Sequence, residues 1–192
     1  MAKNKKVEIY LLDKEGKAEE LNFEDLETAD KEDKILWIHF DYSSPQAIDW
    51  ITNKSNIDSI AIDALLTEET RPRTTILDDS LLIALRGVNL EPKSKPEDMI
   101  SIRLFITPTL IISTRKRDLL TIKEIADNLK KGVGPKSSSE FLIELTYRII
   151  ERMEDIIDNI EDRADQLEEN IINSSDLKYR NEILAIRRES IV

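Results

Sequence analysis

Gly132-Val133-Gly134-Pro135-Lys136-Ser137-Ser138-Ser139 divides this sequence into two kinds of chain. Glycine and proline break regular elements and the serines supply helix-capping oxygens, so the segment reads as a flexible junction that closes one unit and opens a helix. Downstream, apolar residues fall at Leu142, Leu145, Ile149, Met153, Ile156, Ile160, Ala164, Leu167 and Ile171, in steps of three, four and four. That eleven-residue period is about 3.67 residues per turn, which keeps the stripe nearly straight. A helix from Ser139 to Ile172 reaches roughly 50 Å, more than a compact domain of this size spans, so it projects or bundles. Phe141 and Ile157 lie off the stripe and are expected to touch another subunit or a second helix. Asn173-Ser174-Ser175-Asp176 then interrupts the pattern, and a second helix from Leu177 offers Leu177, Ile183, Leu184 and Ile191 as apolar positions. The short connection predicts antiparallel neighbours. Neither glycine nor proline stops this last helix, so it is expected to continue beyond Val192.

Upstream of the junction the period changes. Leu119–Lys131 reads as a helix stopped by Gly132, a usual position for glycine. Before it, Met99–Ile106 and Leu110–Thr114 read as strands joined at Thr107-Pro108-Thr109. Thr74–Leu77 and Leu81–Val88 form a hairpin about Asp78-Asp79. A charged surface loop with two prolines is expected over 91–98. Ile35-Leu36-Trp37-Ile38-His39-Phe40-Asp41 has the short apolar run of a buried strand. Ser43 or Ser44 then caps a helix with Pro45 in its first turn, carrying Ala47, Ile48, Trp50 and Ile51. A further helix over Ile57–Leu66 buries Ile57, Ile60, Ala61, Ala64 and Leu65. Val7–Asp13 reads as a first strand. Strands, hairpins and helices in this order predict an α+β fold with a mixed sheet and helices packed against it. The chain divides into a body over residues 1–135 and a long antiparallel helical hairpin over 136–192.

Composition narrows the function. The 192 residues hold 28 Lys+Arg against 39 Asp+Glu, a formal charge of −11, and no cysteine. An acidic balance counts against nucleic acid as a partner. The lack of cysteine removes thiol catalysis and cysteine-ligated metal. No bilayer span is present, since the best apolar stretch, Met99–Ser113, is interrupted by Arg103 and Pro108. After the basic start, Val7–Asp13 is too short and too acidic for a secretory signal.

Three groups of residues are chemically suggestive. His39, the single histidine, lies two residues from Asp41 on one strand face, where the pair either shares a metal or fills a structural role. Eleven carboxylates and three arginines lie between Glu140 and Ile172. Of these, Glu151, Glu154, Asp158, Glu161, Asp165 and Glu168 stack three or four apart. Such an oxygen-rich ridge attracts divalent cations, if it is not simply a solvated face balanced by arginines elsewhere. Arg71, Arg73, Arg115, Lys116 and Arg117 form two basic clusters that either hold an anion or pair with Glu68, Glu69, Asp78 and Asp79. No nucleophile, base and orienting group come together, so no enzyme is expected.

Several blocks, in order from about residue 35 to the end, resemble the cytoplasmic domain of the CorA superfamily of divalent-cation transporters, and especially its ZntB-like branch. They are Trp37-Ile38-His39-Phe40-Asp41-Tyr42, Leu66-Thr67-Glu68-Glu69-Thr70-Arg71-Pro72-Arg73, Ile102-Arg103-Leu104-Phe105, Ile111-Ile112-Ser113-Thr114-Arg115-Lys116-Arg117 and Gly132-Val133-Gly134-Pro135. The resemblance implies a three-layer α/β/α domain followed by long helices, the last entering the membrane as a pore-lining stalk. It also implies a homopentamer whose cytoplasmic parts form a funnel on the inner side of the cell membrane, reaching lipid only through segments after Val192. The family's Gly-x-Asn loop lies between membrane helices, so Gly87-Val88-Asn89, at a strand end, matches it only by letters. The cargo implied is a divalent cation, magnesium or zinc, with no cofactor required. A site built here from carboxylates and one histidine is oxygen-based, which suits magnesium. The rival reading is a soluble adaptor whose acidic helical hairpin docks a basic partner protein.

Overall fold

A computed structural model of the protein describes residues 6–68, 71–89, 99–173 and 178–190. The loop expected over 91–98 and the helix break expected at 174–176 lie outside the described residues.

Seven strands form one sheet: β1 (Val7–Leu12), β2 (Ala18–Leu21), β3 (Ile35–Asp41), β4 (Arg73–Leu77), β5 (Ser80–Gly87), β6 (Ile100–Ile106) and β7 (Leu110–Arg115), in the order β2-β1-β3-β7-β6-β5-β4. Every neighbouring pair is antiparallel except β3 and β7, which run parallel at the centre with Trp37 opposite Ile111 and His39 opposite Ser113. That parallel pair makes the sheet mixed, as expected. Strand β2 was not legible in the sequence, because Ala18-Glu19-Glu20-Leu21 has too few apolar residues for a strand pattern. It forms because the preceding turn is built for it: Asp13 accepts the N–H groups of Glu15 and Lys17, and Gly16 takes φ 100°.

Alternation along the strands gives the sheet two apolar faces. One face, with Tyr10, Leu12, Ile35, Trp37, Ile102, Leu104 and Ile111, packs on α3 (Leu120–Lys131) and the first turns of α4 (Ser138–Asn173). The other, with Ile9, Leu11, Ile38, Phe40, Phe105 and Ile112, packs on α1 (Pro45–Asn53) and α2 (Ser59–Leu66). The result is the three-layer α/β/α body.

Helix α4 is 36 residues long, about 54 Å at 1.5 Å per residue. Ser137 caps it, its Oγ accepting the Glu140 N–H, while the Glu140 carboxylate accepts the Lys136 N–H. Phe141, expected at a subunit or second-helix contact, is instead fully buried, edge-on to Trp37 with ring centroids 4.8 Å apart. Phe141, Leu145 and Ile149 share the sheet's core, so the packed unit runs past the 132–139 segment into the helix. That segment is not a slack linker. Gly132 takes φ 78° as the α3 stop, and the Gly134 N–H donates to the Gly16 carbonyl at 2.8 Å. A Cβ on Gly134 would lie 2.6 Å from the Leu129 side chain, which is why glycine stands there. The far half of α4 packs against α5 (Lys178–Ser190), completing a helical hairpin. Among the described residues no helix is long and apolar enough to cross a membrane.

Candidate functional site

The suggestive residues fall on three separate parts of the molecule. At the carboxyl ends of the parallel strands β3 and β7, His39 is 1% exposed. Arg115 donates from Nε to His39 Nε2 at 2.8 Å, so Nε2 is the acceptor and the ring proton sits on Nδ1. That Nδ1 lies 2.8 Å from Ser113 Oγ, which also accepts from Trp37 Nε1 at 2.9 Å. Burial, reinforced by the Arg115 charge, holds the histidine well below its ordinary pKa, so it is neutral. Arg115 is buried as well and reaches Asp118 at 2.6 Å and Glu8 at 3.9 Å. Both ring nitrogens of His39 are thus engaged, and its neighbour on one side is a cation. Asp41 turns away to accept from the backbone N–H and hydroxyl of Ser43, at 2.8 and 2.7 Å. The arrangement ties β1, β3, β7 and the start of α3 together.

On the opposite face of the same end lies Arg103, in the middle of β6 and 2% exposed. It donates from Nη2 to the Glu68 carbonyl, and its guanidinium lies over the Tyr42 ring, 4.9 Å from the centroid. Burial lowers its pKa, opposed by Tyr42 and Glu68. Arg103 was not singled out from the sequence as a candidate, though the signal was present: one charge inside an otherwise apolar strand. Of the basic residues that were singled out, Arg115 belongs to the His39 network. Arg71, Arg73, Lys116 and Arg117 are exposed, with Lys116 paired to Glu68. Asp78 and Asp79 stand beyond the other end of β4 from Arg73, so they do not meet it.

The third part is the outer side of α4. Glu151, Glu154, Asp158, Glu161, Asp165 and Glu168 are all exposed, and among the described residues none of them makes an ion pair. Two of the arginines that share the helix, Arg148 and Arg152, face inward. Arg148 bridges Glu124 and Glu144 at 3.0 and 2.9 Å, and Arg152 reaches Glu124 at 2.5 Å. Despite partial desolvation, Glu124 titrates below the ordinary carboxylate range because both arginines face it. The ridge therefore keeps its negative field. Within one copy, no three His, Asp or Glu among the described residues converge on a point that could hold a metal ion. Beside the acids runs an exposed apolar row, Ile143, Tyr147, Ile150 and Ile157.

Comparison with known proteins bears on the family and the fold. The family model described as CorA-like Mg2+ transporter protein matches residues 32–192. The zinc transport protein ZntB of Pectobacterium carotovorum is 32% identical over 186 residues, which are 97% of this chain and 56% of that protein. The chain thus spans about half the length of the curated relatives it matches. Among solved structures, full-length CmaX superposes with a TM-score of 0.85 at 31% identity, covering 99% of this chain and 60% of that one. The cytoplasmic domain of ZntB from Vibrio parahaemolyticus gives 0.75 at 27% identity, covering 95% and 71%.

Proposed function

This chain belongs to the CorA-like Mg2+ transporter family, and from that premise we propose that it is the cytoplasmic domain of a ZntB-like divalent-cation transporter. The cation is cargo, not a resident cofactor, and the domain is not an enzyme. The observation that carries the reading is the pairing of a three-layer body with a 36-residue helix whose outer carboxylates make no ion pair among the described residues. Arranged around a ring axis, several such helices form an acidic funnel that raises the local concentration of divalent cations near a pore. Five copies are the count the family likeness suggests. The row Ile143, Tyr147, Ile150 and Ile157 supplies apolar surface for the contact between them.

A regulatory role follows from the same geometry. One copy offers no converging metal ligands among its described residues. Carboxylates from two copies facing each other would repel when empty and attract when a divalent cation lies between them, so subunit packing would depend on bound metal. With oxygen donors alone, such a contact favours magnesium over zinc.

Two experiments test this. Reading the gene past Val192 is expected to show two apolar spans with Gly-x-Asn between them, and a stop codon there would contradict the assignment. Titrating magnesium or zinc into the protein while following mass by light scattering is expected to change the assembly. Constant mass with no heat of binding would remove the regulatory part and leave the transport assignment standing.

A further inference from the structure

Arg103 is a buried charge that keeps one donor unsatisfied. Its neighbours along β6 are Ile102 and Leu104, and it is 2% exposed. Its carboxylate partner among the described residues is the exposed Glu68, which attracts it electrostatically but forms no ion pair with it. It meets the Glu68 carbonyl and the ring and hydroxyl of Tyr42, but its buried Nε has no hydrogen-bond acceptor. Leaving a buried guanidinium donor unsatisfied is costly, and proteins seldom keep such a group without a use for it.

Further positive charge lies near Arg103, together with the Glu68 carboxylate. In the sheet register Arg73 on β4 stands opposite Ala84 on β5, and Ala84 stands opposite Arg103. All three side chains leave the same face, on which α2 packs over β6 while Arg73 stays exposed. Arg73 and Arg103 are therefore about 10 Å apart at their Cα atoms, with Ala84 between them in the register. Two planar forks across that gap match the oxygens of a tetrahedral oxoanion. Arg71 lies just before Arg73, and Lys116 borders the same corner through its contact with Glu68. Glu68 is the one carboxylate that the described contacts place there, and it is held by a surface pair whose side chains are 58% and 67% exposed. Such a pair is weak and exchangeable. A protein with a formal charge of −11 has gathered its cations at this corner.

We propose that this corner, at the start of β4 and the middle of β6, binds a phosphoryl oxoanion, held between Arg73 and the free Nε of Arg103, with Lys116 turning onto it as the Glu68 carboxylate is displaced. The ligand chemistry is that of inorganic phosphate, pyrophosphate or the terminal phosphates of a nucleotide. The site lies away from the acidic ridge and stands or falls apart from the transport reading.

Isothermal titration of the intact protein with phosphate, pyrophosphate and ADP, at ionic strength fixed with sodium chloride, tests it. Pyrophosphate or ADP is expected to bind saturably at one site per chain, with preference between them and phosphate identifying the source of the phosphoryl group. R73Q and K116Q are each expected to weaken binding at least fivefold, E68Q to strengthen it, and R103Q to abolish it. Because Arg103 is a core residue, the surface variants carry the result independently of whether R103Q folds. Equal affinity in wild type, R73Q and K116Q, or thermal stabilisation matched by chloride alone, would overturn the proposal.

Discussion

At the scale of single residues, the His39 network makes a pH prediction whose sign is fixed by burial. The histidine is held neutral in the folded protein, so its folded pKa lies below the ordinary 6.5. As pH falls below 6.5, the unfolded chain takes up a proton that the folded one refuses. The contribution to stability is therefore complete above that pH and is lost progressively below it. Between pH 7.5 and 5.5 wild type should therefore lose stability that His39→Gln does not lose. Urea denaturation of both proteins at each pH measures the difference, and parallel curves would mean that His39 is accessible to protons in the fold. Ser113→Ala is the harsher change, since it strips the acceptor from two buried donors, Trp37 Nε1 and His39 Nδ1. A loss of about 3 kcal/mol is expected by the same measurement, because each orphaned donor costs about 1–3 kcal/mol. The sequence placed His39 on one strand face with Asp41. It did not show the partners, because Ser113 and Arg115 come from a strand about 75 residues away and meet His39 only through the parallel pairing of β3 and β7.

At the scale of elements, local chemistry and burial together decide which readings survive. The eleven-residue stripe on α4, the stop at Gly132 and the two-residue turn at Asp78-Asp79 are local signals, and the structure carries all three. Phe141 and Gly134 were misread because their roles depend on what lies across the interface: Trp37 for the one, Leu129 and Gly16 for the other. Phe141→Ala is expected to cost about 3–5 kcal/mol, the range for emptying a buried aromatic site. A loss below 1 kcal/mol on chemical denaturation would place that turn of α4 outside the core. Gly134→Ala forces a methyl to within 3.0 Å of the Leu129 backbone as well as its side chain. The clash with backbone leaves no rotamer to yield, so about 1–3 kcal/mol is expected, read as a lowered Tm.

At the scale of the whole molecule, the acidic ridge and the exposed apolar row make sense only as surfaces awaiting company. The six carboxylates were legible as a ridge from their spacing. That they make no ion pair among the described residues was not, because Arg148 and Arg152 are on the same helix and only the packing of α3 shows them turned inward to Glu124. Replacing Ile150 and Ile157 with glutamate should leave monomer stability within about 0.5 kcal/mol, as for surface substitutions generally, while removing higher-mass species in light scattering. Unchanged assembly in that double variant would move the subunit contact elsewhere. The claim beneath all of this is that the domain serves the passage of a divalent cation. Its most direct test is flux: the full-length gene product reconstituted into liposomes loaded with a zinc or magnesium indicator. Entry of cation above that of protein-free liposomes, reduced when the α4 carboxylates are changed to amides, is the predicted result. No cation entry from correctly inserted, assembled protein would contradict it.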